Sequence, residues 1–471
     1  MIRLYNNKEA FIEQIIKEER NEDILYGEIN TPFSFVETIL SIIPENMFSN
    51  PELKWLDPAC GCGNFMIILY FKLMKGLEYS IINIEERKDH ILKNMIYMIE
   101  IQEKNADLLR RIFGTTANII CCDFLNYGVE YSYNITIDVI IGNPPFNLGN
   151  KLKVPSSINN KKNDGTTIWP DFVRKSVQLI KEGTGKLCFF IPSLWLKPDK
   201  QQMYNFILNY KVEYLNCYSN TQSNKLFKGK AQTPCCFFLL TKIQSNNSNN
   251  SNNIISIYDA NAERYIYYKV NLIEKKPIPL FGQEVCNKLQ QKNYKTLKVI
   301  KTNMPNTIIK KEISEEFKYE NIRTCVLTGV NKLTPSLVID YSNKKLLYSD
   351  IPKIIISHKM HGFPYLDAEG KYGVSNRDNF IIIKEEMKDL LKLQKFLSTK
   401  TALYIFEATR YRMKFLEKYA FDLIPDITQL DDFPEEINDA SIAEYFGFDE
   451  TDKKNIQKLH KKNYNFFNYN N

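Results

Sequence analysis

The chain has 471 residues, 44% hydrophobic and 25% charged, the composition of a globular protein with two or three domains. A disulfide-stapled miniprotein is excluded, and no apolar run reaches the ~18 residues of a membrane span. The net charge of +7 permits a polyanionic partner without requiring one. The opening MIRLYNNKEAFIEQIIKEER lacks a secretory core and carries acids that transit peptides avoid, so a cytoplasmic location is expected.

Strand and helix signals alternate through the first half, the pattern of a parallel α/β sheet. Residues Lys8 to Arg20 put Phe11, Ile12, Ile15 and Ile16 on one helical face. Leu53–Leu56 reads as a strand, followed by a glycine-rich turn, a helix from Asn64 to Lys75, and strands at Ser80–Ile84 and Met95–Ile99. A helix near Glu103–Phe113 leads to strands Asn118–Cys122 and Ile135–Ile141. A helix over Trp169–Lys181 and strands at Lys186–Ile191, Asn216–Tyr218 and Cys235–Thr241 follow. Gln244–Asn253, QSNNSNNSNN, offers nothing to bury and marks a linker between domains at 1–243 and 254–471. The second half mixes short strands with one helix from Glu386 to Lys414 and an acidic helical tail after Asp431.

Cys60 and Cys62 are one residue apart, Cys121–Cys122 and Cys235–Cys236 are adjacent, and no C-x-x-C occurs. Reduced, buried thiols are therefore expected rather than a zinc site. His358 and His361 lack an H-E-x-x-H frame, so no metal is expected.

Two segments carry chemistry. Trp55-Leu-Asp-Pro-Ala-Cys-Gly-Cys-Gly-Asn-Phe65 places Gly61 and Gly63 between a strand and a helix, where a ligand can approach the backbone. Met66 stands where a dinucleotide fingerprint would want a third glycine, so a cofactor without a pyrophosphate fits better. Val139-Ile-Ile-Gly-Asn-Pro-Pro-Phe146 again ends an apolar run. Pro144 and Pro145 remove two backbone donors, while the Asn143 amide oxygen and the Pro144 carbonyl remain as acceptors suited to an amino group. Phe146 adds an aromatic face for a planar group.

Together these segments resemble the amino-group methyltransferases that use S-adenosyl-L-methionine, and more closely the gamma-class DNA adenine methyltransferases of restriction-modification type, over roughly residues 25 to 245. The resemblance implies a Rossmann-like α/β methyltransferase domain with a mostly parallel sheet, followed by a mixed α+β target-recognition domain. It implies double-stranded DNA as substrate, a monomer, and a separate restriction endonuclease as candidate partner. By the same resemblance Thr31 and Pro32 contact the cofactor, and Asp57, Ala59, Gly61 and Gly63 hold its methionine part. Glu100 with Ile101 takes the ribose, Asp123 with Phe124 takes the adenine, and Asn143 adjoins cofactor and substrate alike. Glu85 lies nearer to the ~20 residues usually expected after the glycine turn. Glu100 is preferred because a helix follows it directly and leads to the strand ending at Cys122.

Adenine's amine is a poor nucleophile, because its lone pair is delocalised into the ring. Acceptors at Asn143 and Pro144 would hold its two hydrogens and favour a pyramidal nitrogen, with Pro145 stiffening the turn. A base inside a duplex must be flipped out to reach them, at a cost of a few kcal/mol, with Phe146 and Phe227 as stacking faces. The polar connection from Asn147 to Thr167 carries Lys151, Lys153, Lys161 and Lys162 and reads as a flap that meets phosphates. Lys359, Arg410 and Arg412 mix with aromatics as a nucleic-acid surface would. Asn-Pro-Pro-aromatic segments also serve enzymes acting on protein glutamine or RNA guanine, and an inactive DNA-binding relative is a third reading. The large second half and the basic connection favour DNA.

Overall fold

The computed structural model describes residues 30–126, 136–148, 166–229, 233–244, 253–291, 294–328, 334–358, 364–377, 379–412 and 415–459. The expected helix at Lys8 to Arg20, most of the Ser/Asn-rich linker, and Lys151, Lys153, Lys161, Lys162 and Lys359 lie outside these residues. The chain forms two compact units, one of residues 1–195 and 199–256, the other of 196–198 and 257–471. Among the described residues, no helix is long and apolar enough to cross a membrane.

The first unit is built on β1 (Trp55–Asp57), β2 (Ile96–Glu100), β3 (Asn118–Cys121), β4 (Val139–Gly142), β5 (Lys186–Pro192), β6 (Tyr210–Tyr218) and β7 (Cys235–Gln244), in the order β3-β2-β1-β4-β5-β7-β6. Strands β1 to β5 pair in parallel, and β7 alone runs antiparallel to both of its neighbours. The sheet is thus mostly parallel, as expected. Trp55, Leu56, Ile96, Met98, Val139, Ile140, Leu187 and Phe189 are fully buried, which is why these strands read as continuous apolar runs rather than alternating ones. Among the described residues, the α-helices of this unit are α1 (Phe33–Leu40), α2 (Asn64–Gly76), α3 (Ile84–His90), α4 (Glu103–Phe113), α5 (Trp169–Leu179), α6 (Met203–Leu208) and α7 (Asn220–Leu226). Helix α2 buries Phe65 through Tyr70 without a break, the mark of a helix enclosed on most sides. Strand order reverses at β1, with β2 on one side and β4 on the other. Such a reversal opens a crevice at the carboxyl ends of the strands, where ligands of open α/β sheets bind.

Two expected elements differ. Ser80–Ile84 is not a strand: the Asn83 side chain accepts from the amides of Glu85 and Glu86 and starts α3, and Ile82 stays exposed. A π-turn over Ile91–Met95 then leads into β2. The helix read from Glu386 to Lys414 is two helices, Met387–Leu397 and Lys400–Ala408. The Thr399 hydroxyl accepts from the Ala402 amide and begins the second.

The second unit contains two four-stranded sheets. One joins Ile300–Lys301, Asn379–Ile382, Lys353–Ser357 and Pro364–Asp367; the other joins Ile309–Lys310, Thr334–Ser342, Tyr319–Thr328 and Gly373–Val374. Helices at Asp439–Phe446 and Glu450–Lys458 close the described chain, so this unit is mixed α+β. All ten cysteines are free.

Candidate active site

The loop after β1 is tied at both ends. The Cys60 amide donates to the Ile99 carbonyl (3.0 Å), and the Gly61 amide to Glu100 Oε2 (2.8 Å), so the loop leans on the end of β2. Glu100 Oε1 also accepts from the Gln102 amide (3.0 Å) and from Asn105 Nδ2 (3.5 Å). Gly61 has φ of +53°, and a Cβ there would meet no atom within 4 Å, so the outer side of the loop is open for a ligand. Gly142 at the end of β4 has φ of +148°, and a Cβ there would lie 2.7 Å from Asp57 Oδ1. Glycine at 142 is what lets the buried Asp57 carboxylate sit against the next strand.

Asp57 accepts from the Ala59 amide (3.1 Å), yet its carboxyl is pushed up to about 8. Burial is the main cause, and the Glu100 charge adds to it. A cation bound between these adjacent strand ends would offset the Glu100 charge and draw the proton off Asp57. The Cys60 thiol is held well above its ordinary value by burial and by both acids, so no thiolate nucleophile is present at neutral pH.

At the end of β4, Asn143 is half-buried and Pro144 is buried. Asn143 Nδ2 donates to Thr31 Oγ1 (3.1 Å), although the two residues are 112 positions apart. The Thr31 carbonyl accepts from Asn64 Nδ2 (2.9 Å). Residues ahead of α1, after β1 and after β4 therefore meet at the strand-order reversal. Pro32 begins α1, its carbonyl accepting from the Phe35 and Val36 amides. Asn64 was not singled out by sequence reasoning; its place directly after Gly63 is the only local signal.

The remaining residues are placed as follows. Glu100 is 5% exposed at the end of β2, whereas Glu85 on α3 has its side chain 82% exposed and paired with Lys88. Ile101 is 65% exposed beside Glu100. Asp123 follows β3 and accepts from the Leu125 amide (2.9 Å) and Asn126 Nδ2 (2.7 Å). Phe124 is buried and stacked on Phe172, so its ring already has a partner. Phe146 and Phe227 both pack on Phe190, with centroids 6.3 and 5.5 Å away. Phe146 is half-buried, while Phe227 is 5% exposed within the aromatic core beside Phe35. The connection after Phe146 is pinned at its neck, where the Leu148 amide donates to the Thr166 carbonyl (2.8 Å) and the Ile168 amide to the Phe146 carbonyl (3.1 Å).

In the second unit, Arg410 and Arg412 lie past the end of the Lys400–Ala408 helix, not on it. Arg410 pairs with Glu407 (2.6 Å), both side chains mostly buried, so its charge is already met. Arg412 is 62% exposed.

Residues 69–227 match the family described as Eco57I restriction-modification methylase. The match takes in Glu100, Asp123, Asn143 to Phe146 and Phe227, and begins after the Asp57 to Gly63 loop. The chain is 28% identical over 251 residues, 48% of its length, to a type II restriction enzyme and methyltransferase, RM.BcgI, of Heyndrickxia coagulans. It is 33% identical over 87 residues, 18% of its length, to an uncharacterized adenine-specific methylase of Mycoplasma pneumoniae. It spans 36% and 21% of the length of these two curated relatives. Among solved structures, the type IIL restriction-modification enzyme MmeI in complex with DNA aligns over 96% of this chain and 75% of its own, at 13% identity and a TM-score of 0.45.

Proposed function

We propose that the protein is a site-specific DNA methyltransferase, carrying a methyl group from S-adenosyl-L-methionine to the exocyclic amine of an adenine turned out of double-stranded DNA. The observation that carries this reading is the Asn143 carboxamide. It stands at the end of β4 beside the β1 loop, with its nitrogen on Thr31. Its oxygen is thereby left for another partner, and the next residue along, Pro144, is buried and rigid.

The site fits the cofactor. The open side of Gly61 admits a close ligand, and a cationic one would be met by Glu100 and by Asp57 as its proton leaves. Asp57, Ala59, Gly61 and Gly63 would hold the methionine part with Pro32 beside it, Glu100 and Ile101 the ribose, and Asp123 and Phe124 the adenine end. When bound, S-adenosyl-L-methionine supplies an activated methyl on a sulfonium. The chain's own residues supply orientation. The Asn143 oxygen and the Pro144 carbonyl each accept one hydrogen of the substrate amine, and preorganised acceptors of this kind stabilise positive charge as it develops on nitrogen. Holding amine and methyl in line removes much of the entropic part of the barrier.

Phe146, half-buried at the edge of the aromatic cluster, offers a stacking face for the flipped base. Phe227, the candidate for the other side, packs inside that cluster against Phe35 and Phe190. Lys151, Lys153, Lys161 and Lys162 neutralise phosphates, and the second unit, with Lys359 and Arg412, selects the sequence. Cleavage of unmodified DNA belongs to a separate endonuclease.

The test is direct. Purified protein is incubated with DNA from a methylation-deficient host and labelled S-adenosyl-L-methionine, and the DNA is digested to nucleosides. Label in N6-methyldeoxyadenosine supports the proposal; label in a cytosine derivative, or none in DNA, overturns it.

A further inference from the structure

We infer that Thr31 is a positioning residue for Asn143, its hydroxyl holding the carboxamide by its nitrogen so that the oxygen is left for the substrate amine; this rests on the function proposed above. A carboxamide is a donor at one end and an acceptor at the other, and its terminal torsion is broad and roughly two-fold. Unrestrained, it would present its NH2 to a substrate NH2 for part of the time, donor against donor. Only the oxygen-out orientation serves methyl transfer.

Thr31 is built as a fixed point. It is buried, and its carbonyl is gripped by Asn64 Nδ2 (2.9 Å) from the first turn of α2. Asn64 is itself buried, and its Oδ1 has no hydrogen-bond partner among the described residues, so the side chain is committed to Thr31 through its nitrogen. Two residues on, α1 begins and drives Val36, Ile39 and Leu40 fully into the core. From this anchored position the Thr31 hydroxyl takes the Asn143 nitrogen at 3.1 Å. The contact spans 112 residues, and the only long-range side-chain bond described for Asn143 is this one. Thr31 was expected to contact cofactor; the geometry points instead to a hydroxyl spent on the residue that meets the substrate.

The test uses the full chain with Thr31→Val, which keeps the shape and removes the hydroxyl, and Thr31→Ser, which keeps the hydroxyl. Single-turnover methyl transfer is read at saturating cofactor, and S-adenosylhomocysteine affinity by calorimetry. Thr31→Val is expected to slow transfer on the order of tenfold, the effect of one net hydrogen bond, with affinity changed less than about threefold. Thr31→Ser is expected to stay near the wild-type rate. Weakened affinity with an unchanged rate makes Thr31 a cofactor contact and overturns the proposal, as does a Thr31→Val protein normal in both. Should Thr31→Val fail to fold, Thr31→Ser decides: a tenfold loss with the hydroxyl present refutes the inference. A second readout does not depend on transfer. With asparagine labelled in nitrogen-15, the Asn143 side-chain NH2 signals should move in Thr31→Val and not in Thr31→Ser. Unmoved signals overturn the positioning role even if the enzyme is active, while moved signals in a protein that modifies no adenine uphold the contact and reject the functional reading.

Discussion

Replacing Glu100 and Glu85 in turn separates the two acids that spacing alone leaves in competition. Glu100 is buried at the end of β2 and anchors the β1 loop through the Gly61 amide at 2.8 Å. Glu85 projects from α3 and touches Lys88, a surface pair of a kind that contributes ~0–1 kcal/mol. A hydrogen bond to a charged group contributes about 1.5–3 kcal/mol, so Glu100→Ala should weaken S-adenosylhomocysteine binding by about 10- to 150-fold, partly through ribose contacts and partly through release of the loop. Glu100→Gln is the sharper variant. An amide nitrogen directed at the Gly61 amide sets donor against donor, and an amide oxygen directed there leaves the other end facing the Gln102 amide with the same conflict. Glu100→Gln should therefore bind at least tenfold more weakly although it is nearly isosteric. Glu85→Ala should stay within about twofold. Titration calorimetry at one pH and salt concentration reads all three. Equal binding by Glu100→Gln and wild type, or a large loss in Glu85→Ala, would refute the assignment.

Three further outcomes follow from the same geometry. The folded protein keeps a proton on Asp57 up to about pH 8, whereas the unfolded chain releases it near 3.8, so ionising this residue opposes folding across that window. The stability of Asp57→Asn relative to wild type, without cofactor, should therefore rise with pH between about 4 and 8, approaching ~1.4 kcal/mol per unit; denaturant titrations giving a flat difference would contradict this. Arg412→Ala should lower DNA affinity and flatten its dependence on salt by about one unit of slope, as loss of a phosphate contact does; an unchanged slope would assign Arg412 another role. Arg410→Ala should lower the melting temperature, because it strands the mostly buried Glu407, and should change the salt slope little; a slope change equal to that of Arg412→Ala would show that Arg410 reaches DNA.

The sheet of the first unit was legible because its strands are buried on both faces and read as unbroken apolar runs, with glycine or proline at their ends. The β1 loop and the Asn143-Pro-Pro-Phe turn were legible because each couples such a run to residues of unusual backbone freedom or stiffness. Ser80–Ile84 misled because its apolar residues imitate a strand, while a single Asn83 side chain settles the matter by capping two amides of α3. The helix after Glu386 was read too long for a similar reason: Ser398-Thr399 breaks a continuous helical pattern with one hydroxyl cap. Side-chain pairings were legible only where they are local. The Arg410 to Glu407 pair is three residues apart and could have been anticipated, whereas nothing in the sequence links Thr31 to Asn143 or places Asn64 between them.

The role proposed for Asn143 is to direct methyl transfer to adenine in DNA. It is tested most directly by sequencing that detects methylated bases in DNA from cells lacking other methyltransferases and expressing either the wild-type chain or Asn143→Ala. Methylated adenine at one recurring sequence is expected with the wild type and none with Asn143→Ala, although the variant still binds S-adenosylhomocysteine. Loss of one aimed acceptor costs on the order of a hundredfold or more in rate. Equal modification by both proteins, or wild-type modification of a base other than adenine, would contradict it.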